Sequence, residues 1–190
     1  MQEKYNIVLA SNSPRRKELL SGLGIPFEVR IIPDIDESYP KDISLSEIPC
    51  FIAQKKADAY QSSIKKNEII ITADTVVILD NQIIEKPTDR EDAIRMLHLL
   101  SGRKHEVITS VVMTSLEKQI SFSTHSMVDF AVLEKDEITY YIDTFRPFDK
   151  AGAYGIQEWI GYIGVEGIQG SFYNVMGLPI QRIYQELKKF

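Results

Sequence analysis

A mixed-sheet α/β fold is what this sequence predicts, and three observations predict it. Short apolar runs alternate with amphipathic segments along the chain, two long β-rich runs flank a single polar turn near the middle, and no internal repeat or linker interrupts the pattern. At 190 residues the chain is long enough to bury a sizeable core as one domain.

The elements follow in order. YNIVLA at 5–10 is a continuous apolar run, the mark of a buried strand, and a short helix over 14–22 is stopped by Gly22 and Gly24. A second strand is expected at 27–32, running into PDIDESYP. Helical periodicity then covers 47–62, with Ser46 as N-cap and Pro49 tolerated because it falls in the first turn. EIIITADTVVILDNQIIEK reads as two β-rich segments interrupted by an acidic residue, followed by a turn at Asp80 and Asn81. Thr88 stands three residues before Glu91, the capping-box spacing, and Gly102 closes the helix so begun. Paired strands at 105–116 and 119–133 surround the Glu117–Lys118 turn, a helix takes 134–145, the glycine-rich 152–170 is loop and short strand, and LPIQRIYQELKKF ends the chain as helix.

Charge and composition exclude several classes. With 22 basic against 27 acidic side chains the net charge is -5, which argues against broad binding to nucleic acid, whose affinity rests on phosphate neutralisation. There is no apolar run of membrane-spanning length and no secretion-signal pattern at the start. A single cysteine, Cys50, cannot form an internal disulfide, so a cytoplasmic setting is the expectation. The three histidines, His98, His105 and His125, are scattered without zinc-site spacing and read first as surface or core-edge residues.

Four polar clusters and two lysines stand out. In ASNSPRRKELL, Ser13 caps a helix whose first position is Pro14, leaving free amides that face an anion, with Ser11, Arg15 and Arg16 as further donors. The plain alternative is a solvent-facing helix start. Asp34, Asp36 and Glu37 follow the second strand, where loop acids are common. Asp74 lies inside IIITADTVVIL, where a carboxylate is costly unless hydrogen-bonded, paired or bound to metal. Lys56 and Lys86 can balance acids or phosphates, although isolated lysines are usually surface residues. DKAGAYGIQ joins Asp149, Lys150 and Gln157 to Gly152 and Gly155, with Gly161 just beyond; its glycines either let backbone approach a planar ligand or simply make tight turns.

Taken together, ASNSPRRKELL, DIDE, KKADAY, ADTVV, EKP, SGRKHEVITSV, DKAGAYGIQ and VEGIQGSFYNVMGLP resemble, in order and over nearly the full chain, the Maf proteins, a family of nucleoside triphosphate pyrophosphatases. The resemblance implies an elongated mixed α/β structure like that of the inosine triphosphate pyrophosphatases, with a central cleft between two lobes, often dimeric. GIQ at 155–157 is similar to the branch directed to dTTP and UTP rather than the one directed to 7-methyl-GTP. By motif position the resemblance makes Asp74 the proton acceptor and Arg15, Thr75 and Gln157 the specificity positions. Ser11, Arg16, Glu37, Lys56 and Lys86 complete the pocket.

Hydrolysis of the α–β phosphoanhydride would then use Asp74, Glu37 and Lys86 in catalysis, with Glu37 and Asp74 holding a divalent cation, Mg2+ by chemistry. Gln157 has a donor and an acceptor to match the O4/N3–H edge shared by uracil and thymine. The sequence departs from the family at Phe145 and Arg146, at Ser110, and at Glu158, where glycine often follows GIQ. Those departures keep open a pyrophosphatase for a modified or noncanonical purine nucleotide; a noncatalytic, nucleotide-sensing division regulator is the third reading. Nucleotide is the expected partner, with homodimeric assembly.

Overall fold

The computed structural model describes residues 5–190. It contains a mixed seven-stranded sheet in the order β2 (Phe27–Val29), β1 (Asn6–Leu9), β3 (Glu68–Leu79), β5 (Lys104–Thr114), β6 (Gln119–Phe130) and β7 (Val165–Gln169), with β4 (Gln82–Ile84) added to β3. Helices α1 (Pro14–Ser21), α2 (Ile48–Tyr60), α3 (Arg90–Leu100), α4 (Lys135–Phe145), α5 (Trp159–Gly164), α6 (Phe172–Val175) and α7 (Ile180–Leu187) fill the connections. The α/β expectation therefore holds. Among the described residues no helix is long and apolar enough to cross a membrane.

The described chain divides into two compact units: residues 5–74, 109–124 and 177–190 in one, and 75–108 and 125–176 in the other. In the first, β1 lies between two parallel partners, with Ile7 opposite both Phe27 and Ile69. A strand paired on both edges and covered on both faces has no polar side to present, which is why Ile7, Val8 and Leu9 form an unbroken apolar run and are all buried. Val8, Ala10, Tyr60 and Ile70 make one core cluster, lined by Ile32, Ile35 and Ile64. Ala53, Ala57 and Val112 make another, where two alanines let α2 come close. The Thr72 hydroxyl completes that contact by donating to the Ala53 carbonyl at 2.8 Å.

In the second unit, β3 and β4 form an antiparallel hairpin that pairs Val77 with Ile84 and Leu79 with Gln82. Its two turn residues, Asp80 and Asn81, both have positive φ (48° and 59°), the twist that matches a tight hairpin. Helix α3 packs on α4 and on the 3₁₀ turn at Ala151–Ala153. His105 sits in a buried aromatic cluster with Phe130 and Tyr154, its Nε2 at 2.7 Å from the Tyr154 hydroxyl. Burial drives its pKa down to about 4, so the ring is neutral at physiological pH.

Several local expectations are corrected. Helix α2 begins after Glu47, already in helical conformation, because Ser44–Glu47 forms a turn and the Ser46 hydroxyl pairs with Ser44 instead of capping. Helix α3 is capped by Asp89, not Thr88: the Asp89 carboxylate accepts from the Asp92 amide at 2.8 Å, and Asp92 in turn accepts from Thr88 N–H. Strand β2 stops at Val29 rather than 32, and the glycine-rich 152–170, expected as loop and short strand, contains helix α5 directly ahead of β7. Gly102, at φ 67°, follows α3 as expected.

One ion pair, made by a buried acid and a partly exposed arginine, ties the segment after β2 to the start of β3. Glu68, almost fully buried at the start of β3, receives both arms of Arg30 at 3.0 and 2.8 Å and the Lys65 amide at 2.9 Å. The Arg30 hydrogen bonds hold its carboxyl below the usual glutamate range. A depressed acid stabilises the fold above its unfolded pKa of ~4.3, and that contribution is lost as pH falls through the folded value. Arg30→Met should therefore cost about 2 kcal/mol at neutral pH by removing two charge-assisted hydrogen bonds from Glu68, which keeps the Lys65 amide. In urea unfolding at pH 7 and pH 3 the deficit shrinks on the acid side, where Glu68 of the variant is protonated; a deficit independent of pH would contradict this account.

Candidate active site

The first unit gathers most of the polar residues singled out by sequence. Ser13 caps α1 by accepting from the Arg16 amide at 3.4 Å, and Pro14 takes the first helical turn. Ser11, buried just ahead of the cap, accepts from the Ser13 amide at 3.3 Å. The helix start is thus built as its sequence predicts. Arg16 is a surprise in its bonding: Nε donates to the Gly177 carbonyl and Nη1 to the Ala73 carbonyl, each at 2.8 Å. It braces the backbone on the residue before Asp74. Burial lowers its pKa, with the neighbouring Arg15 adding to the fall, while Asp74 and Glu37 act against it.

Asp74 lies within β3, its side chain 13% exposed. The Ala53–Thr72 contact fixes α2 against that strand, and Lys56 comes one helical turn after Ala53. Lys56 Nζ consequently reaches Asp74 Oδ1 at 2.9 Å and, on its other side, Glu37 Oε1 at 3.1 Å. Glu37 comes from the loop after β2 and its side chain is half exposed. Two carboxylates thus share one ammonium. Asp36, beside Glu37 in sequence, goes elsewhere and bonds Lys55 at 2.7 Å and Ser38.

Electrostatics single out Asp74. Burial raises its pKa above the ordinary aspartate value; Lys56 and Arg16 pull it down, and the Glu37 charge pushes it up again. A carboxyl of raised pKa is a better proton acceptor than a solvated one once ionised. The donor set of Glu37 and Asp74 is also hard oxygen, suited to a small divalent cation. Among the described residues no group of three or more His, Cys, Asp and Glu side chains forms a cage. A pair of carboxylates suits an ion that takes its other ligands from phosphate and water.

The second unit carries Thr75, Lys86 and Gln157. Thr75 follows Asp74 in β3. Lys86, exposed after β4, lines an open pocket of about 300 Å³ with Gln82, Thr88, Asp92 and Arg95. Gln157 ends the Gly155–Ile156–Gln157 turn, and its Oε1 is buried without a hydrogen-bond partner among the described residues. An orphaned buried acceptor costs free energy unless a donor arrives.

The glycines around it do not open the backbone to a ligand. A Cβ at Gly155 would lie 2.8 Å from the Glu158 carboxyl carbon, and one at Gly161 only 1.8 Å from the Ile156 carbonyl oxygen. Internal close packing, which neither sequence reading anticipated, accounts for both. Sequence reasoning also missed Tyr141, whose hydroxyl accepts from the Gly155 amide at 2.9 Å and donates to Glu158. Its only sequence signal is a tyrosine on the buried stripe of α4, where a hydroxyl must find a partner.

Because Lys56 is the chief charge opposing the effect of burial, Lys56→Met should move the Asp74 pKa further up. Carbon NMR titration of the Asp74 carboxyl in the full chain checks this, and an unchanged titration would remove Lys56 as its charge partner.

Comparison with known proteins agrees with the motif resemblance. The family model described as Maf-like protein matches residues 6–190. The dTTP/UTP pyrophosphatase of Bacteroides thetaiotaomicron is 59% identical over 187 residues, covering 98% of this chain and 97% of that protein. The protein of the same name from Parabacteroides distasonis is 59% identical over 188 residues, covering 99% and 97%. That from Porphyromonas gingivalis is 54% identical over 190 residues, covering 99% and 96%. Among solved structures, the Staphylococcus aureus Ham1 protein aligns with a TM-score of 0.47 at 17% identity, over 95% of this chain and 99% of that one. A family match across residues 6–190, joined by relatives above half identity over nearly their whole length, means that this chain belongs to the Maf family.

Proposed function

We propose that this chain is a nucleoside triphosphate pyrophosphatase that hydrolyses dTTP and UTP to the nucleoside monophosphate and pyrophosphate. The observation that carries the reading is the Glu37–Lys56–Asp74 cluster, a raised-pKa carboxyl held beside an ammonium and a second carboxylate. The names of the relatives supply the substrates.

In the reaction a water oxygen adds to one of the two phosphorus atoms flanking the α–β bridge, the bond from that phosphorus to the bridging oxygen breaks, and the group on the far side of the bridge leaves with the electron pair, giving the nucleoside monophosphate and pyrophosphate. Asp74 accepts the proton that the water loses. Its raised pKa brings it nearer the working pH than an ordinary aspartate at ~4 and strengthens it as a base. Lys56 orients the Asp74 carboxylate through its 2.9 Å bond and offers positive charge to the phosphates. Arg16 fixes the backbone beneath Asp74 through the Ala73 carbonyl. Arg15, Lys86 and the Ser11 region add donors for the triphosphate.

Glu37 and Asp74 would hold a divalent cation, Mg2+ by the hardness and number of the donors, which when bound neutralises phosphate charge and lowers the pKa of water. Gln157 presents its buried Oε1 to the N3–H of uracil or thymine and its amide N–H to O4, with Thr75 and Arg15 at the other specificity positions. A donor arriving there relieves the orphaned acceptor, and a base without N–H at that position does not. The reaction suits the cytoplasm, where polymerases draw on the same nucleotides, and homodimeric assembly is part of the same family reading.

Pyrophosphate release from dTTP, UTP, CTP, dCTP, ITP and 7-methyl-GTP, with and without Mg2+, tests the proposal. Metal-dependent release chiefly from dTTP and UTP is expected. A purine preference overturns the base assignment, and no release from any nucleotide overturns the activity in favour of nucleotide sensing. Asp74→Asn should lower turnover by about 100-fold or more. The variant's melting temperature should be unchanged or higher, because a carboxyl of raised pKa costs stability once pH rises above its unfolded value of ~3.9. Normal turnover in this variant would remove Asp74 from the chemistry.

A further inference from the structure

We infer that Glu158 is a positioning residue for base selection, its carboxylate fixing the Gly155–Gln157 turn and with it the place of the Gln157 acceptor. The inference rests on the reading of Gln157 as the residue that meets the base edge.

The turn is closed twice. Its backbone closes through the Glu158 amide, which donates to the Gly155 carbonyl at 2.9 Å. Its second closure runs through side chains: the Gly155 amide donates to the Tyr141 hydroxyl at 2.9 Å, and that hydroxyl donates to Glu158 Oε2. The other carboxylate oxygen, Oε1, faces Lys150 Nζ at 3.1 Å, and Lys150 also bonds Asp149 at 2.8 Å. Tyr141 is fully buried on α4, and Lys150 is nearly so. The carboxylate occupies the space a side chain at Gly155 would need. Glu158 therefore ties both ends of one four-residue turn to a helix and to a buried cation.

Between those ends stand Ile156, buried in the core, and Gln157. Gln157 is the one polar side chain in the interior of the turn, and its Oε1 lacks a partner among the described residues. Holding the turn removes the orientational freedom that Gln157 would otherwise lose on meeting a base, so the gain appears in binding rather than in the chemical step. Burial, with the adjacent Glu158, raises the Tyr141 pKa, so the hydroxyl keeps its proton and stays a donor across the neutral range.

Steady-state kinetics with dTTP, UTP and CTP on the full chain and its E158A, E158Q and Y141F variants provide the test. In E158A the KM for dTTP and UTP rises about tenfold while kcat stays within about threefold and CTP is unaffected. E158Q, which keeps an acceptor for Tyr141, shows a smaller rise. Y141F behaves like E158A, and combining the two adds little because both break one relay. A parental KM in E158A, or a fall in kcat alone, overturns the inference.

Should the unmodified chain release no pyrophosphate or prefer a purine, the function reading fails separately. Hydrogen exchange then judges the turn itself: E158A and Y141F speed exchange at Gly155–Glu158 at least about tenfold with the rest of the second unit unchanged. Equal protection in parent and variants overturns the positioning role whatever the substrate.

Discussion

A carboxylate set inside a buried strand is the constraint on which the rest of this site depends. Asp74 interrupts the apolar run of β3, and an ionised group there is tolerated only where cations and dipoles replace lost water. Lys56 supplies the ion pair, Arg16 adds positive potential while holding the preceding carbonyl, and Glu37 shares the ammonium from the other side. These partners come from α2, α1 and the loop after β2, so one side chain draws on three separate parts of the chain. Packing serves the same end, since the buried Ala53 and Ala57 and the Thr72 hydroxyl bring α2 near enough for Lys56 to reach.

The balance of those effects also sets the basicity of Asp74. Burial alone would favour the protonated, unreactive acid; cations alone would make a poor base. The two act in opposition, and the net shift is upward, which makes the Asp74 carboxylate more basic than a solvated aspartate. Arg16 shows a similar economy. An arginine read from sequence as a phosphate arm spends two of its donors on main-chain carbonyls, one of them near the C-terminal end of the chain, and so joins α1, β3 and the segment before α7 within one unit.

A second polar cluster works by different means. Around Gln157 the charges do not face a reacting group but brace a turn, with Lys150 neutralising Glu158 and Tyr141 passing a hydrogen bond between side chain and backbone. The glycines there are small because neighbours fill the space, not because a ligand does. What remains unsatisfied is a single acceptor on Gln157. A site that leaves one polar atom wanting and satisfies those around it is suited to selecting a donor.

Much of this protein was determined by sequence alone, for reasons that are local. The strand at 6–9 follows from an apolar run, the start of α1 from Ser13 and Pro14, and the hairpin at Asp80–Asn81 from residues that accept positive φ. Family membership follows from the joint order of eight motifs, which composition alone would not reveal. Caps proved less legible: Thr88 had a competent neighbour in Asp89, the Ser46 hydroxyl turned to Ser44, and only the backbone path decided either outcome. The glycine-rich region hid α5 because packing against β7 and α4 outweighs poor helix propensity there. Tertiary structure alone decided that Lys56 lies between two acids, that Arg16 holds carbonyls, and that Tyr141 and Glu158 close the Gln157 turn. Each of these joins residues distant along the chain or from different elements, where sequence specifies the groups but only the packed backbone sets the distances between them.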